Sequence, residues 1–207
     1  MNLKIAVSIA LMMPFGAVAF ADSIVDGSFA AGEAKAIVCG ACHGPNGNSV
    51  NPAWPSIAGQ HAPYILKQLR AFKSGARTNV LMTGQAMMLS DDDMLNLAVY
   101  YEAQVVAAKA VTEPRTVAKG EALYRGGNKE SNAAACIACH GPHGKGNPAA
   151  KYPAISGQYA VYAAQQLRNY ANGTRKTDAP TRVMRDIASR LSEDEITAVA
   201  SYIQGLH

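Results

Sequence analysis

Apolar residues recur every three or four positions in matching stretches of the two halves of the chain. The two sets are Met94, Leu97, Ala98 and Tyr101 in the first half, and Ile196, Val199, Ala200 and Ile203 in the second. This period predicts an amphipathic helix in each half. Ser90 with Asp93, and Ser192 with Glu195, have the spacing of capping boxes, so each helix should begin just after its serine.

Two further helices are expected in each half. Pro63 suits the first turn of a helix that runs to about Lys73, and the counterpart of this helix should start near Ala160. A third helix should lead into each cysteine-containing segment. No run alternates clearly enough to predict a strand. The expected fold class is therefore all-α, and so few short helices usually need a cofactor or a covalent staple to complete their core.

The second half of the sequence repeats the first, which predicts two tandem copies of one small domain. The matching segments include Cys39-Gly-Ala-Cys42-His43-Gly-Pro with Cys136-Ile-Ala-Cys139-His140-Gly-Pro, Gly32-Glu-Ala with Gly120-Glu-Ala, and Pro55-Ser-Ile-Ala-Gly59-Gln60 with Pro153-Ala-Ile-Ser-Gly157-Gln158. A stretch around Pro114 has no clear periodicity. We therefore place a linker at 111–118, between an N-terminal domain at 22–110 and a C-terminal domain at 119–207.

The amino terminus has the pattern of a secretory signal peptide. Lys4 precedes an apolar run that Pro14 interrupts, and Ala19-Phe-Ala21 suits cleavage before Asp22. We predict a signal peptide at 1–21 and export to the periplasm. An uncleaved membrane anchor is the alternative, although the run is short for a membrane-spanning helix.

The composition and charge of the chain exclude some classes of function. The 207 residues are 49% hydrophobic and 16% charged, which does not suggest a disordered chain. A net charge of +4 is too small and too dispersed to predict nucleic-acid binding. The charge is uneven, because residues 22–110 carry six basic and seven acidic groups, whereas residues 111–207 carry twelve and eight.

Each half contains one Cys-x-x-Cys-His motif, the attachment signature of haem c. The motifs are Cys39-Gly-Ala-Cys42-His43 and Cys136-Ile-Ala-Cys139-His140. A helical turn presents the two thiols to the two vinyl groups of one porphyrin, and the next residue then directs its imidazole at the iron. Two short disulfides and a single zinc site are alternatives, but neither explains the histidine after each pair. A thioredoxin-like pair is a third alternative, but it would lie beside a βαβ pattern that this sequence lacks. Two covalent haem c groups with iron are the predicted cofactors.

Methionine is the usual second axial ligand in electron-carrier cytochromes. Met184 is the only methionine after the second haem motif and lies eight residues before Ser192, and Met82 lies eight residues before Ser90. We therefore predict His43 with Met82, and His140 with Met184, as the iron ligands. Bis-histidine ligation is the alternative, although His61 aligns with a tyrosine and His143 is too close to His140.

Outer contacts of these sites can also be anticipated. A ligating imidazole needs a hydrogen-bond acceptor at its other nitrogen. Pro55 and Pro153 lie 12 and 13 residues after the two histidines, and their carbonyl groups can fill that role. Four recurring arginines could pair with haem propionates or simply form a solvated face: Arg70, Arg77, Arg168 and Arg175.

These residues resemble the di-haem cytochromes c4. The resemblance covers nearly the whole chain after residue 21, and its motifs are the two Cys-x-x-Cys-His segments, the Pro-x-Ile-x-Gly-Gln segments, Met82-Thr-Gly, Val183-Met184-Arg and Ser201-Tyr-Ile-Gln-Gly-Leu-His207. It implies two class I cytochrome c domains and the His–Met ligands given above.

The resemblance also implies a function. The expected protein is a periplasmic electron carrier, not an enzyme, between a quinol-oxidising cytochrome bc complex and a terminal haem-copper oxidase. We expect a monomer with no nucleic-acid partner. Peripheral association with a membrane is compatible with this expectation. A haem subunit of a dehydrogenase such as a flavocytochrome, and a di-haem peroxidase with an open iron site, remain alternatives.

Overall fold

The computed structural model describes residues 23–207, so the predicted signal peptide at 1–21 lies outside the described residues. Within the described part the regular elements are all helical, and two isolated antiparallel bridges join Asn128 to Ala133 and Asn147 to Tyr152. The predicted all-α class is confirmed. Between residues 23 and 207, no helix has the length and apolar content needed to cross a membrane.

Each half contains four or five helices in the same order. The first half has α1 (Phe29–His43), α2 (Ala62–Lys73), α3 (Val80–Met87) and α4 (Asp91–Glu102). A 3₁₀ turn at Pro114–Thr116 precedes the second half, which has α5 (Val117–Gly126), α6 (Ile137–His140), α7 (Ala160–Ala171), α8 (Val183–Ala188) and α9 (Glu193–Gly205). Both predicted capping boxes form, at Ser90 and Ser192, and the predicted starts of α2 and α7 are confirmed.

The first and last helices of each half cross at a glycine. A Cβ built on Gly32 would lie 2.1 Å from the carbonyl oxygen of Asn96, and one on Gly120 would lie 2.4 Å from that of Ala198. Because the side chain of glycine is only a hydrogen atom, the backbone of α1 can contact that of α4, and the backbone of α5 can contact that of α9. The predicted apolar faces of α4 and α9 are buried beside these crossings.

The expectation of one helix leading into the second cysteine motif was wrong. α1 runs without a break through Cys39, but α5 ends at Gly126, and the chain forms a loop before α6 begins next to Cys136. The cause is an insertion in the second half, because Gly32 lies 7 residues before Cys39 whereas Gly120 lies 16 residues before Cys136. The inserted loop contacts α9, where Asn128 Nδ2 donates to Glu195 Oε1 at 2.6 Å.

The two halves meet through a pair of buried arginines related by the repeat. Arg77 donates to the Tyr162 hydroxyl at 2.9 Å and to Gln166 Oε1 at 2.8 Å in the other half. In return, Arg175 donates to the Tyr64 hydroxyl at 2.6 Å. Because every one of these bonds crosses between the halves, the arginines fix the orientation of one half against the other.

Candidate haem sites

The cysteines and the histidine of each motif lie on a single helical turn. In the first half they occupy the end of α1, which terminates at Gly44 with φ +79°. In the second half Cys136 caps the short helix α6, which terminates at Gly141 with φ +75°. A positive φ, which glycine adopts without strain, turns the chain away directly after the histidine at both positions. All four thiols are free, so neither pair forms the alternative disulfide.

The two histidine rings are held in the same way. His43 Nδ1 lies 2.8 Å from the Pro55 carbonyl oxygen, and His140 Nδ1 lies 2.9 Å from that of Pro153. A carbonyl can only accept, so Nδ1 carries the proton and Nε2 keeps its lone pair. Within residues 23–207 neither Nε2 makes a hydrogen bond. The predicted role of the two proline carbonyls is confirmed.

Burial keeps both imidazoles neutral. It lowers the pKa of His43 and of His140, and the hydrogen bond to the proline carbonyl opposes this effect only in part. A neutral imidazole with a free Nε2 is the form that ligates a metal ion. The histidines therefore fit the axial position of a haem iron.

The cysteines do not fit the alternative roles. Burial raises the pKa of the Cys39 thiol and raises that of Cys136 to about 11, whereas a reactive redox cysteine has a lowered pKa. In the part of the chain that the structure describes, no three His, Cys, Asp or Glu side chains converge on one point. The two pairs therefore do not form one zinc site. Two free sulfurs on one turn beside a neutral imidazole fit haem c.

The structure separates the methionines by environment. Met82 on α3 and Met184 on α8 are half-buried, at equivalent places in the two halves. Met87 and Met88 are 60% and 69% exposed, and Met94 is fully buried in the core. Met82 and Met184 therefore remain the best-placed predicted ligands.

Two residues that the sequence reasoning missed hold the methionine segments. Asn79 caps α3, and its Oδ1 accepts from the backbone N–H of Met82 at 3.0 Å. Asp178 accepts from the backbone N–H of Arg185 at 2.9 Å and from its Nε at 2.7 Å, directly beside Met184. Asn79 immediately before α3 has the pattern of an N-cap, so this signal was present in the sequence. The Asp178 contact spans a loop and left no such signal.

The other candidate histidines and arginines have separate contacts. His61 Nε2 contacts the Lys145 carbonyl oxygen, and His143 Nδ1 contacts the main-chain oxygen of His207, so both rings are engaged away from the haem motifs. Arg70 and Arg168 form exposed ion pairs with Asp91 and Glu193. Of the four recurring arginines, only Arg77 and Arg175 are buried.

Two helical halves, each with a haem-attachment motif and an oriented proximal histidine, define a di-haem c-type cytochrome. The cytochrome c family model matches residues 29–102 and 117–207. Cytochrome c4 from Pseudomonas aeruginosa is 47% identical over 87% of this chain and 90% of its own length. The crystal structure of reduced recombinant cytochrome c4 from Pseudomonas stutzeri superposes with a TM-score of 0.85 at 41% identity, covering 88% of this chain and all of that one.

The chain therefore belongs to the cytochrome c4 family. It is an electron-transfer protein that carries two haem c groups, bound at Cys39/Cys42 and at Cys136/Cys139. A thiosulfate dehydrogenase electron acceptor from Stutzerimonas stutzeri is also similar, at 40% identity over 81% of this chain and 78% of that protein.

Proposed function

We propose that this protein is a periplasmic carrier that takes electrons from a quinol-oxidising cytochrome bc complex and delivers them to a terminal haem-copper oxidase. Its domains are 22–110 and 119–207, joined by the linker 111–118, after removal of residues 1–21. His43 with Met82, and His140 with Met184, are the axial ligands.

The observation that carries this proposal is the matched pair of ligand sets. Each half has a neutral, oriented imidazole and a half-buried methionine at equivalent positions. When bound, each haem supplies an iron that accepts and releases one electron. Side chains that fill both axial positions exclude a substrate from the iron, which favours outer-sphere transfer over catalysis.

The two halves offer partners different surfaces. Four of the exposed residues on and beside α3 are large and apolar: Val80, Leu81, Met87 and Met88. Beside α8 the corresponding positions include the exposed cations Arg182 and Arg190. We propose that the basic half is steered toward an acidic docking surface, so its association rate should fall as salt rises. A rate independent of salt would contradict this steering.

The ligand assignment is tested by single substitutions. Met82→Ala and Met184→Ala should each remove half of the far-red ferric absorption that methionine–iron bonding produces. Met87→Ala and Met88→Ala are the matched controls and should leave it at full strength. Full absorption in Met82→Ala, or its loss in Met87→Ala, would reject the ligand set.

One alternative is supported by a specific comparison. The similar protein named as the electron acceptor of a thiosulfate dehydrogenase favours a dehydrogenase, in place of a bc complex, as the donor. Stopped-flow reduction distinguishes the two. Faster reduction by a quinol-fed bc complex supports the proposed function, and faster reduction by thiosulfate dehydrogenase supports the alternative.

A further inference from the structure

One peptide group in the first half is hydrogen-bonded on both sides. Its carbonyl oxygen, that of Pro55, accepts from His43 Nδ1 at 2.8 Å. Its N–H, that of Ser56, donates to Oε1 of Gln158 at 3.1 Å, and Gln158 belongs to the other half. A continuous chain of hydrogen bonds therefore runs from the proximal histidine of one half to a side chain of the other.

The second half contains the reciprocal arrangement. The Pro153 carbonyl oxygen accepts from His140 Nδ1 at 2.9 Å, and the N–H of the same peptide, that of Ala154, donates to Gln60 Oε1 at 3.0 Å. Gln60 belongs to the first half. Each half thus supports the peptide that orients the histidine of its partner half.

The amide orientation of both glutamines is determined by their contacts. Gln158 Nε2 donates to the Ser56 carbonyl at 2.8 Å, and Gln60 Nε2 donates to the Ala154 carbonyl at 2.7 Å. Each Oε1 also accepts from the backbone N–H of the next residue, Tyr159 or His61. Exchanging oxygen and nitrogen would break every one of these bonds, so only one orientation satisfies them.

We propose that Gln158 and Gln60 are positioning residues that tune the haem of the opposite half. This inference rests on the proposed ligation by His43 and His140. A bond accepted at Oε1 polarises the peptide and makes its carbonyl a stronger acceptor. That carbonyl then draws the Nδ1 proton and makes Nε2 a stronger donor to iron. Stronger donation favours the ferric state, so each glutamine lowers the potential of the haem across the interface.

The test substitutes the glutamine of one half and measures the haem of the other half. Gln158→Leu keeps the approximate shape but cannot accept, so the first-half haem should become easier to reduce, with at least a threefold rise in its ferrous-to-ferric ratio at a fixed potential. Gln60→Leu should do the same for the second-half haem. Gln165→Leu, an exposed glutamine on α7, is the matched control and should change neither. Haem-methyl NMR resonances, assigned with the Met82→Ala and Met184→Ala proteins, report the two haems separately.

A second variant guards against general loosening of the interface. Gln158→Glu keeps an acceptor for Ser56 N–H, loses the donor to the Ser56 carbonyl and adds negative charge, so the first-half haem should become harder to reduce. In the reduced protein, Gln158→Leu should also move the Nδ1–H resonance of His43 and leave that of His140 in place. Equal shifts of both haems, or a shift confined to the second half, would overturn the inference. Fewer than two covalent haems, or absent methionine absorption in the unmodified protein, would instead overturn the proposed function.

Discussion

Gly120 of α5 faces Ala198 of α9 so closely that a Cβ on the glycine would lie 2.4 Å from the alanine carbonyl oxygen. The same Cβ would lie 2.7 Å from the Cβ of Tyr202. Since the obstacles include backbone, the helices would have to separate to admit a methyl group. This crossing therefore depends on glycine for its closeness.

Gly120→Ala should destabilise the protein by about 1–3 kcal/mol through overpacking. Chemical denaturation of the haem-loaded protein measures the effect. Gly126→Ala, on the same helix with no atom within 4 Å of the added Cβ, is the control and should be neutral or slightly stabilising. Equal effects of the two substitutions would mean that the crossing is not limited by space.

The arginine pair between the halves should contribute to stability. Arg175→Gln leaves the Tyr64 hydroxyl without its charged donor and leaves Gln68 Oε1 bonded to Arg77 alone, so the free energy of unfolding should fall by about 2 kcal/mol. Arg168→Gln breaks only an exposed ion pair with Glu193 and should cost less than about 1 kcal/mol. A larger loss in Arg168→Gln, measured by denaturant unfolding, would contradict the assignment.

The helix boundaries that could be predicted from the sequence are those determined by interactions between residues close together in the chain. Ser90 and Ser192 fixed the starts of α4 and α9 because a capping box acts within one turn. The methionine-bearing helices α3 and α8 were not predicted, because eight and six residues are too few to establish a period. The contacts of Gln158 join positions about a hundred residues apart, and only the folded arrangement brings them together.

Asp178 should be essential for the segment that carries Met184. Its side chain is 3% exposed and pairs with Arg185 at 2.7 Å, so Asp178→Ala should cost about 3–5 kcal/mol by leaving a buried charge without a partner. The far-red ferric absorption that the bond between Met184 and the second haem iron produces should weaken as well. Asp186→Ala removes an exposed partner of Arg182 and should change neither property. Unaltered absorption and stability in Asp178→Ala would reject this role.

The capping box of α9 should make stability depend on pH. The Ser192 backbone N–H, and then the Asn128 side chain, lower the pKa of Glu195. Its folded-state pKa is below the unfolded value of about 4.3, so the contribution is complete above that pH and is lost as pH falls through the folded pKa.

Glu195→Gln should therefore be less stable than the unmodified protein at pH 7, and the difference should shrink as pH falls below the unfolded pKa of about 4.3. Thermal unfolding across this range provides the measurement. Asp194→Asn leaves both capping bonds in place and should show no such trend. A difference that grows on acidification would have the wrong sign.

The uneven charge of the two halves should make the reduction potentials of the two haems differ. Residues 111–207 carry four more basic than acidic groups, whereas residues 22–110 carry one fewer. One unit charge about 10 Å from iron, at an effective dielectric of about 20, is worth roughly 1.7 kcal/mol, or about 70 mV for one electron before screening by salt. The second-half haem should have the higher potential. Spectroelectrochemical titration of the intact di-haem protein, with haem-methyl NMR resonances reporting the two haems separately, tests the order, and the reverse order would reject it.

Counting covalent haems on the intact chain tests the whole account most directly. After expression with export to the periplasm, a pyridine haemochrome assay combined with intact mass should give two haems per chain and an amino terminus at Asp22. Replacing Cys39 and Cys42 by alanine should remove one haem and leave the other. A colourless protein, or a red pigment that extracts into acid acetone, would contradict the account.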